Sequence, residues 1–301
     1  MKDSKFIIGT GTAIITPFKD DFSIDYESLE RNIERLIVNN VEYIVLLGST
    51  GEASSLTYKE QDEVIQFASR VINSRVPLIV GCTNNSTTHA VERAKEISKF
   101  RIDGILSAAP YYNKPSQEGI YRHYKAIACA TSLPLIIYNV PGRTVSNILP
   151  KTCLELAFDF KNIIAIKEAS GNMGQVMEII KNNTIDGFLV ISGEDALNVP
   201  LISVGVAGTI SVIANAFPRQ VSQMINLALS GDLKSATEIH YDLLDVTNLI
   251  FKEGNPAGVK SLLNYQKMCN NVLRLPLTPI SSETNKLLVN EYYKIFEKYE
   301  R

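Results

Sequence analysis

Short apolar runs bounded by Gly, Pro or Asn recur along the 301-residue chain and end near Thr16, Gly48, Gly81, Ala108, Tyr138, Lys167, Ser192 and Val212. Successive ends lie 32, 33, 27, 30, 29, 25 and 20 residues apart. Most intervals hold a segment with helical apolar spacing, such as Tyr26 to Val38 or Tyr58 to Val71, which is the period of a repeated βα unit. Runs such as Tyr43-Ile44-Val45-Leu46-Leu47 and Leu135-Ile136-Ile137 are apolar on both faces. Strands of that kind belong in a parallel sheet, covered by helices on one side and filled on the other. Eight such units predict an α/β fold, a (β/α)8 TIM barrel rather than an open sheet. After Val212 the chain reads as helix alone, including Gln220 to Leu229, Leu233 to Phe251 and Glu283 to Tyr299. The expected division is a barrel carrying the active site over residues 1–225 and a small C-terminal helical extension over 226–301.

Composition narrows the function classes. With 45% hydrophobic and 21% charged residues the chain has the make-up of a globular protein with a sizeable core. A formal net charge of −2 gives no broad electrostatic footprint for nucleic acid or an anionic membrane, so small molecules are the expected ligands. Cys82, Cys129, Cys153 and Cys269 are far apart with no CxxC pair, and Cys82 and Cys129 sit in apolar or helical stretches that read as buried. This is the cysteine usage of a reducing compartment. His89, His123 and His240 form no HxxxH or HExxH spacing and have no cysteine close enough to share an ion, so no metal site is expected. The N-terminus lacks the regions of a signal peptide, and no uninterrupted apolar run reaches about 18 residues. A cytoplasmic protein is expected.

Lys167 closes the run Ile163-Ile164-Ala165-Ile166-Lys167-Glu168. A lysine where a strand leaves the core loses the water that stabilises its ammonium form, and its pKa falls. An amine partly unprotonated at neutral pH attacks a ketone or aldehyde to form a Schiff base. The structural alternative is a stem packed at the strand end with its head snorkelling to water. Barrel enzymes place catalytic groups at the C-terminal ends of their strands, and Lys167 ends the sixth. By the two-residue period, Ile163, Ala165 and Lys167 share a face pointing into the barrel mouth.

Other candidates converge on that mouth. The second strand ends in Gly48-Ser49-Thr50-Gly51-Glu52, a hydroxyl-rich turn whose exposed N–H groups suit a carboxylate, or else a plain turn and N-cap. No Walker loop occurs, and Gly9-Thr10-Gly11 lacks the third glycine of a dinucleotide fingerprint, so no nucleotide is implied. The fourth strand runs into Pro110-Tyr111-Tyr112-Asn113-Lys114-Pro115, and the fifth ends in Tyr138-Asn139-Val140-Pro141-Gly142-Arg143-Thr144. A phenol passes protons when hydrogen-bonded to other hydroxyls, Ser49 being a candidate partner; the alternative is aromatic packing at a rim or subunit interface. Arg143, in a Pro-Gly turn, can grip a carboxylate through its planar fork. The acids Glu194-Asp195 read as a helix start rather than as chemistry.

Together these segments, with Pro115-Ser116-Gln117-Glu118-Gly119, Ile166-Lys167-Glu168-Ala169-Ser170-Gly171, Ser192-Gly193-Glu194-Asp195 and Gly208-Thr209-Ile210-Ser211-Val212, resemble the pyruvate-dependent class I aldolases of the N-acetylneuraminate lyase family, and within it the dihydrodipicolinate synthases. The resemblance covers nearly the whole chain. It implies that pyruvate forms an imine with Lys167, becomes an enamine and attacks L-aspartate 4-semialdehyde. Cyclisation and loss of water then give the heterocycle that leads to diaminopimelate and lysine. It implies Tyr138 as proton donor and acceptor, with Ser49 and Tyr112 completing a relay into which Tyr112 reaches from a neighbouring subunit. Thr50 and the backbone of Ile210 would hold pyruvate, and Arg143 the semialdehyde carboxylate. A homotetramer that needs no cofactor beyond the imine is implied as well.

The chain departs from that pattern in places. Ser49 stands where the synthases usually carry threonine, a change that retains the hydroxyl. Glu253-Gly254-Asn255-Pro256-Ala257-Gly258-Val259-Lys260 replaces the usual Asn-Pro-Ile-Pro-Val-Lys. His89 and Gln61 match the acid and the histidine of the lysine-inhibited members, while Asn85 and Tyr111 are retained. The missing acid puts feedback inhibition by lysine in question. Two other readings share the residues: another pyruvate lyase of the family, such as N-acetylneuraminate lyase or a keto-sugar-acid aldolase, and a non-catalytic barrel that binds small acids.

Overall fold

A computed structural model describes residues 4–299. A single turn, Ser4–Ile7, leads into the first strand. Strands and helices then alternate: β1 (Gly9–Ala13), α1 (Tyr26–Val38), β2 (Tyr43–Leu46), α2 (Tyr58–Ile72), β3 (Leu78–Gly81), α3 (Thr87–Ile97), β4 (Gly104–Ala108) and α4 (Gln117–Ala130). The second half holds β5 (Leu135–Asn139), α5 (Pro141–Thr144), α6 (Pro150–Asp159), β6 (Ile163–Glu168), α7 (Met173–Asn182), β7 (Leu189–Ser192), α8 (Asn198–Ser203) and β8 (Gly208–Ser211). All neighbouring strands pair in parallel, and β8 pairs back onto β1, which closes the barrel. Four helices follow: α9 (Pro218–Leu229), α10 (Leu233–Lys252), α11 (Ala257–Tyr265) and α12 (Ser282–Tyr299).

The apolar runs divide as two-faced strands require. Ala13, Tyr43, Val45, Ile79, Leu106, Ile136, Ala165, Ile191 and Ile210 fill the barrel interior. The alternate residues, among them Ile44, Leu46, Leu78, Val80, Ile105 and Ile166, pack outward against the helices. A separate apolar cluster joins α9 to α12, and α9, which continues past residue 225, packs against β1 and β8. Two glycines are required by close approach. A Cβ on Gly11 would meet the Tyr43 ring at 2.2 Å, and one on Gly208 would meet the Gly9 carbonyl at 2.1 Å.

Three details differ from the sequence reading. The alternation in β6 breaks at a bulge, where Leu135 pairs with Ile163 but Ile136 pairs with Ala165. Ile163 therefore packs outward, with the helices, while Ala165 keeps the inner face. The extra residue re-aims the strand end, as bulges beside functional sites commonly do. Cys129 is exposed rather than buried, because it sits about 100° round α4 from the buried Ala128. Lastly, α11 lies in a stretch whose Gly254-Asn255-Pro256-Ala257-Gly258 opening carries turn signals rather than helical spacing.

Candidate active site

Lys167 lies opposite Tyr138 in the β5–β6 ladder. The lysine is 5% exposed, and its Nζ sits 4.4 Å from the centre of the Tyr138 ring. Burial pulls the amine down from its ordinary value to about 8; Asp195 and Glu194 oppose the shift and Arg143 adds to it. At pH 7 roughly a tenth of the amine is then neutral, against roughly 0.03% at the ordinary value of an exposed lysine. Burial also pushes the Tyr138 phenol up to about 12, so it stays protonated and able to donate. Room for the lysine comes from Gly193, at the end of β7. A Cβ there would lie 2.7 Å from Lys167 Cε.

A cleft of about 540 Å³ opens over the barrel, lined in part by Ser49, Tyr138, Arg143 and Asn255. Lys167 and Thr50 sit one side chain deeper, the first against the Tyr138 ring and the second accepting from Asn255 Nδ2 on Oγ1 at 2.9 Å. Ile210 is buried in the interior cluster with Tyr138. Ser49 is exposed on the turn after β2, and Arg143 is exposed on α5, its Nη2 donating to the Asn255 carbonyl at 3.4 Å. Tyr112 stands apart, 85% exposed, with a left-handed backbone (φ 72°) and its N–H donating to Thr144 O at 3.3 Å. Among the described residues no hydrogen bond joins Ser49, Tyr112 and Tyr138. Lys167, Tyr138, Thr50, Ile210, Ser49 and Arg143 are thus gathered at one mouth, and Tyr112 lies exposed outside the cleft lining.

The C-terminal segment braces this mouth. Glu52, left-handed at φ 51°, ends the hydroxyl turn. Its carboxylate accepts from Lys260 Nζ at 2.5 Å and from the Arg274 N–H at 3.1 Å, with neither side chain of the Glu52–Lys260 pair exposed. Lys260 Nζ also donates to Val272 O at 2.9 Å. Arg274 forks onto Glu60 at 2.6 and 3.0 Å and holds that carboxyl down at about 2. Glu60 in turn completes the capping box with Thr57 that starts α2. The segment Glu253–Lys260 therefore acts through residues it shares with the usual pattern: Asn255 touches both Thr50 and Arg143, and Lys260 anchors the turn.

Sequence reasoning overlooked Glu168, Gly193, Asn255 and Lys260. Glu168 carried a legible signal, since a carboxylate in a strand apolar on both faces needs donors. Asp195 begins a short turn as expected, but its buried carboxylate reaches across to accept from the Val212 and Ile213 N–H groups at 2.7 and 3.0 Å. Glu194 is half-buried near the amine, its carboxyl raised mainly by burial. Gln61 lines the far end of the cleft with its amide tied to Ala53 O and Leu56 O, and His89 is exposed on α3. Among the described residues no group of three or more His, Cys, Asp or Glu side chains could hold a metal ion. No helix among them is long and apolar enough to cross a membrane.

The chain is similar to known proteins over nearly its whole length. The sequence model described as the Dihydrodipicolinate synthetase family matches residues 7–293. The 4-hydroxy-tetrahydrodipicolinate synthase of Phocaeicola vulgatus is 49% identical over 286 residues, which is 94% of this chain and 96% of the relative. The crystal structure of dihydrodipicolinate synthase from Thermotoga maritima superposes with a TM-score of 0.94 at 37% identity, covering 96% of this chain and 98% of that one. The chloride-inhibited dihydrodipicolinate synthase of Acinetobacter baumannii, solved with pyruvate, gives a TM-score of 0.92 at 39% identity over 95% of this chain and 98% of that one. With a family match over residues 7–293 and a relative 49% identical over 94% of its length, the chain belongs to the dihydrodipicolinate synthetase family.

Proposed function

We propose that the chain condenses pyruvate with L-aspartate 4-semialdehyde to 4-hydroxy-tetrahydrodipicolinate, on the route to diaminopimelate and lysine, through an imine on Lys167. The observation that carries this reading is a buried amine brought down to about 8 at the end of a barrel strand, 4.4 Å from the Tyr138 ring. The neutral amine attacks the pyruvate carbonyl carbon, the carbonyl oxygen leaves as water, and the imine results. Loss of a methyl proton then gives the enamine, whose carbon forms a bond to the semialdehyde carbon. The semialdehyde amine attacks the imine carbon, closes the ring and frees Lys167.

Tyr138, protonated at neutral pH, donates to the departing oxygen and recovers its proton through hydroxyls. Ser49 on the cleft wall and Tyr112 supply that relay. Tyr112 is 85% exposed in this chain, so its part requires a second subunit, and its exposed ring with a left-handed backbone supports a homo-oligomer, which we take to be a homotetramer. Thr50 and the Ile210 backbone hold the pyruvate carboxylate, and Arg143 the carboxylate of the semialdehyde. The solved relative complexed with pyruvate supports pyruvate as the first substrate, and the family resemblance supports these residue roles. We take the barrel and its helical extension to divide at about residue 225, within α9, the helix that packs against β1 and β8 and shares an apolar cluster with the last helices.

The deciding experiment supplies purified protein with pyruvate and L-aspartate 4-semialdehyde and follows product through dihydrodipicolinate reductase. Turnover is expected. Turnover of sialic acid or of a keto-sugar acid, with none of the semialdehyde, would overturn the proposal.

A further inference from the structure

We propose that Glu168 is a positioning residue for the chemistry at Lys167, its buried carboxylate locking the end of the lysine's strand to the segment that follows α5 and Arg143. The inference rests on Lys167 as the imine-forming amine. Glu168 follows the lysine and points to the opposite, outer side of the barrel wall, where it is almost fully buried. Among the described residues no cation pairs with it there, and its carboxylate is met by neutral donors: Asn139 Nδ2 at 3.0 and 3.3 Å, Gln175 Nε2 at 2.9 Å and the Ser170 N–H at 2.7 Å. A buried carboxylate without a cation is costly unless every acceptor site is filled, so this geometry is tightly defined.

The donors identify what is being held. Asn139 sits across the ladder from Glu168, directly after the Tyr138–Lys167 pair. Its amide also donates to Asn147 Oδ1 at 2.8 Å, and its Oδ1 accepts from the Ile148 N–H at 2.9 Å. Asn147 Nδ2 closes the ring by donating to Gln175 Oε1 at 2.8 Å, and Gln117 Nε2 from α4 donates to Asn147 O, also at 2.8 Å. Four side chains thus tie the ends of β5 and β6 to α7 and to the segment just after Arg143-Thr144. The bulge in β6 leaves the register of this strand end less constrained by the ladder alone. The network supplies the missing constraint and keeps the Lys167 amine facing the Tyr138 ring.

Glu168→Gln tests this, because the new amide sets N–H groups against the donors of Asn139 or Gln175. The swap Glu168→Gln with Gln175→Glu restores a donor–acceptor match between the two positions. Wild type and variants are mixed with pyruvate and quenched with borohydride over time, and the reduced adduct on the Lys167 peptide is counted by mass spectrometry. The expected result for E168Q is an endpoint of one adduct per folded chain reached roughly 10 to 100 times more slowly, the scale set by displacing a reacting group by about 1 Å. The swap should recover most of that rate. A merely structural role would lower thermal stability and the adduct-forming fraction without slowing each active chain. An E168Q rate within about twofold of wild type overturns the proposal, as does a folded swap that recovers nothing. If E168Q does not fold, Gln175→Met, which removes one donor, is judged by the same rate criterion. Absence of adduct in the wild type refutes the role of Lys167 itself, whereas a wild-type adduct with an unaffected variant refutes only the role of Glu168.

Discussion

Gly193→Ala places one methyl group where the structure has no room. The new Cβ would lie 2.7 Å from Lys167 Cε, 3.1 Å from Lys167 Cγ and 2.7 Å from the Ala169 Cβ. Carbon atoms sit at about 3.5 to 4.0 Å in ordinary contact, so the carbon bearing the amine must retreat by about 1 Å. The Gly193 N–H donates to Glu168 O at 2.8 Å, which ties the backbone to β6 and leaves the lysine side chain as the part free to yield. A displacement of that size in a reacting group costs about 10²-fold in rate, or about 2.7 kcal/mol of barrier. The clash with Ala169, fixed to its own backbone, leaves a stability cost of about 1 to 3 kcal/mol. Single-turnover trapping of the pyruvate adduct reads the first quantity and urea unfolding the second. A variant that keeps the wild-type trapping rate within about threefold would refute the claim that Gly193 exists to seat the Lys167 side chain.

The barrel was legible because its signal is local and repeated. Each strand is apolar on both faces and each unit spans a similar length, so the strand ends from Gly81 to Ser192 fall within about one residue of the ladder ends. Lys167 stood out as a charged group closing such a run, and the hydroxyl turn and Arg143 followed from their places at other strand ends. What was hidden depends on partners far apart in sequence. Lys260 meets Glu52 from 208 residues away, and Asn255 meets Thr50 from 205. The role of Gly193 is steric, and no spacing pattern encodes the volume of a neighbour on the adjacent strand. The β6 bulge was hidden as well: the uninterrupted apolar run Ile163-Ile164-Ala165-Ile166 is compatible with either register.

Lys260→Met removes the cation from the buried pair with Glu52 and should cost about 3 to 5 kcal/mol of unfolding free energy, with part recovered in the double variant carrying Glu52→Gln; urea titration reads both. The adduct-forming rate should rise about tenfold per pH unit below about 8 and level off above it, because attack needs the neutral amine and its fraction grows with pH. Since Arg143 helps to lower the lysine's pKa, Arg143→Ala should move that midpoint upward on the same rate profile. The same variant should raise the KM for L-aspartate 4-semialdehyde by roughly 10 to 100 times through the lost charge-assisted hydrogen bonds, with the pyruvate adduct still reaching one per chain.

The most direct test is peptide mass spectrometry after incubation with pyruvate and reduction by borohydride, run beside Lys167→Ala. One reduced pyruvate on the peptide containing Lys167, and none on the variant, is the expected result. A folded wild-type protein that carries no adduct, or carries it on a different lysine, would contradict the assignment of Lys167 as the nucleophile.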